Sequence, residues 1–311
     1  MVPEINNVSV VGAGTMGSGI AQLFLQGNVN VTMIDASESA LTRGRQKIIG
    51  QLEQLSQYGL FDQNMISETM EHLTLSTRIS NVSTADIVIE AVPEKLSLKQ
   101  DVFKEIESYC SRETLISTNT SGLSINQIVC ALEHPERAIG THFFMPADVI
   151  PLVEVIKSEY TSSSTTNRIM AILKKVNKKP VLIHKDIPGF IANRIQHALM
   201  REALYLAESG VASAEDIDTV VRYSLGVRLL FTGPLEQRDL NGLDIHYDIA
   251  NYLYGNLENR SSPSDLLTSK VENNELGIKT GKGFYEWDEE PEAVLQRKNA
   301  QLYELMHWLE K

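Results

Sequence analysis

The sequence is short of cysteine, of basic residues and of long apolar runs, and each shortage excludes a class of protein. Cys110 and Cys130 are the only cysteines in 311 residues, far apart and without a metal-ligand pattern around them. We therefore expect no disulfide framework and no metal site, and this cysteine usage favours the reducing cytoplasm. Because glycine, proline or charge interrupts the apolar runs, we expect no membrane span.

Acidic residues outnumber basic ones, with 40 Asp and Glu against 28 Lys and Arg and a net charge of −12. Binding a nucleic-acid backbone requires a broad basic footprint, so we expect no nucleic-acid partner. A small anionic ligand is compatible with this charge, because a helix N-terminus can bind phosphate whatever the global balance. The opening MVPEINNVSVVGAG leads directly into a strand, and we expect no secretory signal.

A glycine motif lies between a predicted strand and a predicted helix. The β-branched run at residues 5–11 leads into GAGTMG and then into the apolar segment SGIAQLFLQG. In a G-x-G-x-x-G motif the first glycine allows a tight turn, the second lets a pyrophosphate approach the backbone, and the third lets helix and strand pack closely. We predict a dinucleotide site whose contacts are Gly12, Gly14, Thr15, Met16 and Gly17.

A carboxylate after the second predicted strand, residues 30–34, bears on the choice of nucleotide. Asp35 follows the last glycine of the motif by eighteen residues. A carboxylate there can accept hydrogen bonds from both ribose hydroxyls and repels a 2′-phosphate. Because no arginine follows Asp35 directly, the sequence favours NAD over NADP. A flavin, or a glycine-rich turn without a ligand, is the alternative.

The stretch THFFMPADVIPLVEVI, residues 141–156, holds one imidazole and one carboxylate. Glu154 lies in an apolar strand, where an unpaired charge is costly and a close partner is required. Pro146 and Pro151 predict a strand, a loop and a second strand, so the chain can bring His142 beside Glu154. A histidine held by a carboxylate suits a general base. A buried ion pair without a catalytic role explains the same two residues equally well.

Polar residues also stand at the ends of other predicted elements. Glu94 follows the buried strand 86–92, and Lys99 lies on the next helix, near the sheet edge where ligands bind in α/β proteins. Ser121 follows another strand, and Asn193 lies in the first turns of a long helix. Either side chain can reach a substrate, and either can bond the local backbone instead.

The chain changes character at residues 185–189, where helical periodicity replaces the β-branched runs. We predict an α/β fold, with an N-terminal Rossmann-type domain built on a mostly parallel sheet at residues 1–186. A smaller all-helical domain is predicted at residues 187–311, with helices at 189–209, 213–225, 233–255 and 263–273. A tail helix from Pro291 carries an apolar stripe that packs within its lobe or against a second subunit.

Six segments, in order and properly spaced, resemble the L-3-hydroxyacyl-CoA dehydrogenase family from about residue 5 to residue 287. They are GAGTMGSGIAQ, IEAVPEKLSLK, STNTSGLSI, GTHFF with the following proline and PLVEVI, DIPGFIANR, and GIKTGKGFY. The resemblance implies an NAD-dependent enzyme of fatty acid metabolism that oxidises an L-3-hydroxyacyl group to the 3-oxoacyl product. It also implies a homodimer formed through the helical domain.

The same resemblance implies roles for single residues. His142 corresponds to the catalytic base and Glu154 to the residue that orients it, while Ser121 and Asn193 correspond to the contacts of the reacting oxygen. The nucleotide-contacting positions of the family correspond to Gly12, Gly14, Gly17, Asp35, Glu94 and Lys99.

Three positions depart from the family pattern and put the CoA carrier in doubt. Met145 replaces the asparagine of the usual H-F-F-N-P sequence. By spacing, Gln51 and Tyr58 fall where the family has a serine and a lysine that contact CoA. The substrate is therefore a 3-hydroxyacyl-CoA or a free small 3-hydroxy acid or alcohol, as in the related carnitine, gulonate and pyridine-alcohol dehydrogenases. A non-catalytic, crystallin-like NAD-binding protein is a further alternative, and the lysine-dependent β-hydroxyacid dehydrogenases lack support because the helix with Asn193 has no such lysine motif.

Overall fold

Eight β-strands form one sheet in the order β3-β2-β1-β4-β5-β6-β7-β8. The computed structural model describes residues 5–309 of the chain. The strands span β1 Asn7–Val11, β2 Asn30–Ile34, β3 Leu73–Ser76, β4 Ile87–Glu90, β5 Leu115–Thr118, β6 Ala138–Phe143, β7 Leu152–Ile156 and β8 Lys179–Ile183. Strand β3 was not predicted, because its sequence LTLS is short and has no continuous apolar run.

The sheet is parallel from β3 to β6 and reverses direction once, at β7. Strand β7 runs antiparallel to β6, and β8 runs parallel to β7. In the β6–β7 ladder, His142 lies directly opposite Glu154. The predicted α/β class with a mostly parallel sheet is confirmed.

Helices cover the sheet strands, whose central members are buried along their whole length, as strands flanked on both faces usually are. In the first part of the chain the α-helices are α1 Thr15–Gln26, α2 Glu38–Gln57, α3 Ile66–Glu71, α4 Leu96–Tyr109, α5 Ile125–Val129 and α6 Ser163–Lys175. Two hydrophobic clusters, one on each side, contain the buried residues of these helices and strands.

The turn between β1 and α1 requires glycine at two positions. Gly12 has a φ of +109°, and a Cβ there would lie 2.6 Å from the carbonyl oxygen of Ala91. A Cβ on Gly17 would lie 1.7 Å from the carbonyl oxygen of Gly12. The turn, and with it the approach of α1 to the sheet, depends on the absence of both side chains.

The second part of the chain is helical, as predicted, but one of its helices is divided. The elements are α7 Ala192–Glu208, α8 Ala214–Val220, α9 Val227–Leu229, α10 Pro234–Asn241, α11 Leu243–Leu253, α12 Asp265–Glu272 and α13 Pro291–Leu309. A π-helical turn at Val221–Gly226 joins α8 to α9. The single helix expected at 233–255 is interrupted at Gly242, whose φ of +94° lies outside the helical region.

Two compact units divide the chain, one holding the chain up to Asn193 and again from Arg297, the other holding Arg194–Gln296. The sequence predicts one helical domain at residues 187–311, which would include the whole tail. In the structure, the last residues of α13 pack on the first unit instead. Leu302, Tyr303 and Met306 of α13 join the hydrophobic cluster around α1 and α2. None of the helices formed by residues 5–309 has the length and apolar character that crossing a membrane requires.

Candidate active site

The buried pair His142 and Glu154 forms the centre of the site. The two residues face each other across the β6–β7 ladder, and Nδ1 of His142 lies 2.8 Å from Oε2 of Glu154. Their side chains are 6% and 2% exposed. Because the carboxylate accepts the proton of Nδ1, the ring is held in the tautomer whose Nε2 carries a lone pair. The pairing predicted from the sequence is therefore present, and it leaves Nε2 of His142 as a hydrogen-bond acceptor.

Glu154 also ties the histidine to the start of α7. Its Oε1 accepts hydrogen bonds from the backbone N–H groups of Ile191, at 3.0 Å, and Ala192, at 2.9 Å. Burial alone would raise the pKa of Glu154, but the hydrogen bonds from His142 and from the two backbone groups outweigh it and hold the pKa below its usual range. The carboxylate therefore stays ionised at neutral pH and can stabilise a protonated imidazole.

Ser121 and Asn193, predicted as separate ligands of one oxygen, contact each other. The Asn193 side-chain amide donates to the backbone oxygen of Ser121 at 2.8 Å. On its other side, the backbone N–H of Ser121 donates to Oε1 of Glu94 at 3.0 Å. The backbone of Ser121 is thus held from both directions, at its N–H and at its carbonyl oxygen, which fixes its position relative to the end of β5.

Glu94 belongs to a buried network that the sequence pattern only partly predicted. Thr120 donates its hydroxyl to Glu94 in a short hydrogen bond and accepts from the N–H of Leu123 at 3.0 Å. Lys99 lies 3.3 Å from Glu94 and 2.8 Å from Glu90, and also donates to the carbonyl oxygen of Val92. Glu90, which is fully buried, was missed by the sequence analysis.

Lys99, for which the resemblance implies a nucleotide contact, is engaged by the groups of this network. An ammonium group has three N–H donors, and here its acceptors are Glu90, Val92 and Glu94. The side chain is 1% exposed. A contact between Lys99 and a nucleotide stays a prediction, and making it would require one of these bonds to break.

The two carboxyl groups around Lys99 have opposite pKa shifts. Burial raises the pKa of Glu90 despite its bonds to Lys99 and Thr118. For Glu94, burial acts in the same direction, but the bonds from Thr120, Lys99 and Ser121 outweigh it and lower the pKa. Glu94 is thus an ionised group at the partly exposed end of this network, where it can also accept a hydroxyl.

The residues predicted to hold the nucleotide form a cradle that fits it. A Cβ built on Gly14, at the N-terminus of α1, would meet nothing within 4 Å, so open space lies beside the helix end where a pyrophosphate binds. Thr15 and Met16 form the first turn of α1. Asp35, at the end of β2, accepts from the N–H of Ala13 at 2.9 Å, which places its carboxylate beside the glycine turn.

The three positions that depart from the family pattern differ in their exposure and in their contacts. Met145 is 64% exposed, three residues after His142. Tyr58, at the end of α2, stacks on Tyr303 of α13 with ring centroids 6.2 Å apart. The side-chain oxygen of Gln51 is buried and has no hydrogen-bond partner.

Other residues of the site carried a usable signal in the sequence. Glu90 lies inside the apolar run DIVIEAV, the same signal that singled out Glu154. Asn119, which accepts from the N–H of Phe143 at 2.9 Å and so joins the ends of β5 and β6, belongs to the polar run before Gly122. Between Ile5 and Leu309 no group of three or more His, Cys, Asp or Glu side chains is placed to hold a metal ion.

Comparison with protein families decides how this geometry is classified. Residues 7–187 match the NAD binding domain of 3-hydroxyacyl-CoA dehydrogenase, and residues 189–287 match the C-terminal domain of the same family. The chain belongs to the 3-hydroxyacyl-CoA dehydrogenase family. It is an NAD-dependent dehydrogenase that acts on a CH–OH group, and the resemblance and the cofactor predicted from the sequence are both confirmed.

Similar proteins differ in the substrates that their names give. The 5-formyl-3-hydroxy-2-methylpyridine 4-carboxylate 5-dehydrogenase of Mesorhizobium japonicum is 33% identical over 297 residues, covering 95% of each chain. A crystal structure of such a 5-dehydrogenase, described as an NAD+-dependent dismutase, has a TM-score of 0.90 at 33% identity and 99% coverage of both chains. The crystal structure of the (S)-3-hydroxybutyryl-CoA dehydrogenase PaaH1 of Ralstonia eutropha has a TM-score of 0.77 at 33% identity. The match covers 92% of the present chain and 100% of the PaaH1 chain.

The Lys99 network generates a prediction for stability. Lys99→Met leaves Glu90 fully buried without its cation, and breaking a buried pair in this way costs about 3–5 kcal/mol. We expect the free energy of unfolding, measured with urea, to fall by roughly that amount. Lys104→Met, at an exposed position of the same helix, is the control and should be neutral. Adding Glu90→Gln to Lys99→Met should restore part of the loss, and wild-type stability of Lys99→Met would contradict the assignment.

Proposed function

We propose that this dehydrogenase oxidises an L-3-hydroxyacyl group to the 3-oxoacyl product, with His142 as the general base. The observation that carries the proposal is the buried carboxylate of Glu154 on Nδ1 of His142, which leaves Nε2 as a proton acceptor. A histidine placed only for packing would not need an ionised partner that also holds the start of α7.

In the proposed step, the O–H bond and the carbinol C–H bond of the substrate both break. The hydroxyl proton passes to Nε2 of His142, and the C–H hydrogen leaves with its electron pair as hydride while the C=O bond forms. Bound NAD supplies the hydride acceptor. Glu154 stabilises the imidazolium that the proton transfer creates, because its carboxylate stays ionised and is fixed by three hydrogen bonds.

Ser121 and Asn193 are proposed to orient the reacting oxygen. Their contact at 2.8 Å and the anchoring of the Ser121 backbone by Glu94 hold the two residues together after the end of β5, the strand next to the one that carries His142. When negative charge develops on the reacting oxygen, hydrogen-bond donors that are already in position need not reorient. Little free energy is therefore spent on reorganising them. In the reverse direction the same groups polarise the ketone.

NAD is proposed to be held by the glycine turn at 12–17 and by Asp35 and Glu94. Gly14 leaves space beside the N-terminus of α1 for the pyrophosphate, and Asp35 lies at the end of β2 for the adenine ribose. Glu94 is ionised and partly exposed, which supports its proposed role as the acceptor of a ribose hydroxyl.

A CoA thioester is the first candidate for the substrate carrier, because the family and several relatives are named for CoA substrates. A free small hydroxy acid is the second candidate, and two observations favour it. Met145, Gln51 and Tyr58 depart from the pattern of CoA enzymes, and Tyr58 is occupied by its stack with Tyr303. The structure with a TM-score of 0.90 is named for a free pyridine carboxylate.

A homodimer formed through Arg194–Gln296 is also proposed. In the single chain this unit buries few apolar side chains, with Ile217 and Val294 as its only buried hydrophobic residues. Its helices instead expose large apolar side chains, including Leu235, Leu240 and Tyr247 at 82%, 71% and 68%. Exposed apolar surface of this extent is typical of an obligate interface. The small number of cysteines supports the cytoplasm as the place where the dimer works.

Replacing the base tests the mechanism. His142→Ala should lower turnover by roughly 10² to 10⁴, the usual contribution of a general base, and leave NADH affinity nearly unchanged. Stopped-flow or steady-state kinetics with fluorescence titration of NADH measures both quantities. His184→Ala removes an exposed histidine and should keep wild-type turnover. Wild-type turnover of His142→Ala would refute the mechanism.

Activity on two matched substrates, one with CoA and one without it, tests whether the substrate carries CoA. We expect NADH-dependent reduction of acetoacetyl-CoA with a higher kcat/KM than that of free acetoacetate, because the family is named for CoA substrates. Carnitine, gulonate and a pyridine carboxylate alcohol, each assayed with NAD, complete the panel. A preference for any of the free acids would select the second candidate.

The dimer is tested by the mass of the protein in solution. Light scattering or sedimentation should give twice the mass of one chain, because the exposed apolar side chains of the second unit need a partner. Tyr247→Glu places a charge among them and should shift the equilibrium towards monomer. Tyr109→Glu, at a 47% exposed site of α4, is the matched control. A single-chain mass for the unmodified protein would contradict the proposal.

A further inference from the structure

The loop that follows His142 is in direct contact with the base. Phe144, its first residue, packs on the imidazole with ring centroids 4.4 Å apart. Met145 comes next, three residues after His142, and its side chain is 64% exposed. The loop then leads into β7 and Glu154. A movement of residues 144–151 would therefore shift Phe144 and Met145 relative to the base.

Several bonds hold this loop on the first unit. The N–H groups of Val149 and Ile150 both donate to the carbonyl oxygen of Pro146, at 3.2 and 3.0 Å. Lys178, just before β8, donates to the carbonyl oxygens of Asp148 at 3.3 Å and Ile150 at 2.8 Å. These contacts fix the shape of the loop and its side nearest β8.

The loop is attached on its other side through the carboxylate of Asp148. The hydroxyl of Tyr303, on α13, donates to Oδ2 of Asp148 at 2.9 Å, and the amide of Gln22 donates to the same oxygen at 3.3 Å. Tyr303 is 3% exposed and also stacks on Tyr58 of α2. Its neighbours Leu302 and Met306 pack on the hydrophobic cluster around α1 and α2, so the donor is itself held in place.

We propose that Tyr303 is a positioning residue, which holds the loop at residues 144–151 through Asp148 and thereby fixes the substrate wall at Met145. The proposal rests on the proposed function, because the wall matters only if His142 is the base. Tyr303 lies beyond residue 287, where the match to the family domains ends. The C-terminal helix is thus an addition to those domains that acts on substrate binding through a single hydroxyl.

The electrostatics of the contact agree with this role. Burial raises the pKa of Tyr303, and the neighbouring Asp148 raises it further, so the phenol remains a hydrogen-bond donor at neutral pH. Burial also raises the pKa of Asp148, which makes its carboxylate dependent on the donors that face it, namely Tyr303, Gln22 and the nearby Lys178. Removing the Tyr303 hydroxyl withdraws one of these donors and leaves the aromatic ring in its stack.

The decisive variant is Tyr303→Phe, which deletes the hydroxyl alone. We expect KM for acetoacetyl-CoA, and for acetoacetate measured in parallel, to rise about tenfold for whichever of them is turned over, as the loss of a hydrogen bond to a charged group predicts. Turnover at saturation and NADH affinity should stay close to wild type, because the base and the nucleotide cradle are untouched. Tyr109→Phe, at an exposed tyrosine of α4, is the control.

A double-mutant cycle separates positioning from general stabilisation. Asp148→Ala should raise KM by a similar factor, and the double variant should raise it no further than either single one. Asp148→Asn keeps an oxygen acceptor for Tyr303, so its KM should stay close to the wild-type value. A lowered melting temperature with wild-type KM in Tyr303→Phe, or additive effects in the double variant, would overturn the proposal. If His142→Ala abolishes turnover while Tyr303→Phe keeps its KM, the inference about Tyr303 fails and the proposed function stands.

Discussion

The antiparallel register of β6 and β7 is the constraint on which the site depends. It places His142 opposite Glu154 at a distance that side chains can bridge, and both residues are buried there. A buried carboxylate needs donors, and Glu154 finds them in the imidazole and in the two N–H groups at the start of α7. The same requirement therefore orients the base and fixes the first residues of α7, next to Asn193.

A second buried carboxylate organises the neighbouring strand ends in the same way. Glu90 is neutralised by Lys99, which also holds Glu94, and Glu94 accepts the N–H of Ser121. The two networks meet where the Asn193 amide donates to the Ser121 backbone oxygen. The polar side chains of the site thus form one connected set, and each is fixed by bonds that must be satisfied in the folded protein whether or not a substrate is present.

The sequence was sufficient to predict what depends on neighbours along the chain. The bounds of β2, the glycine turn and the pairing of His142 with Glu154 follow from local composition, and the structure agrees with all three. Glu90 carries the same signal as Glu154, a carboxylate inside an apolar strand, and its partner Lys99 lies on the next helix, so local composition is sufficient to predict this pair as well. The contact of Tyr303 with Asp148 was not predictable, because the partner of an amphipathic helix depends on tertiary packing and is not encoded in its own periodicity.

The residues of the proposed chemistry are buried, whereas Met145 is exposed, and this difference explains how one chemistry can serve different substrates. Changing His142, Glu154 or Lys99 breaks a buried pair and lowers the stability of the fold. For His142 and Glu154 it would also impair the proposed catalysis, so stability and activity both constrain these two positions. Met145 is mostly exposed, so a substitution there would change the proposed substrate wall at little cost to stability. In the proposed arrangement, a helix that follows the two matched family domains adjusts that wall. It acts through a loop that has one end near His142 and the other near Glu154.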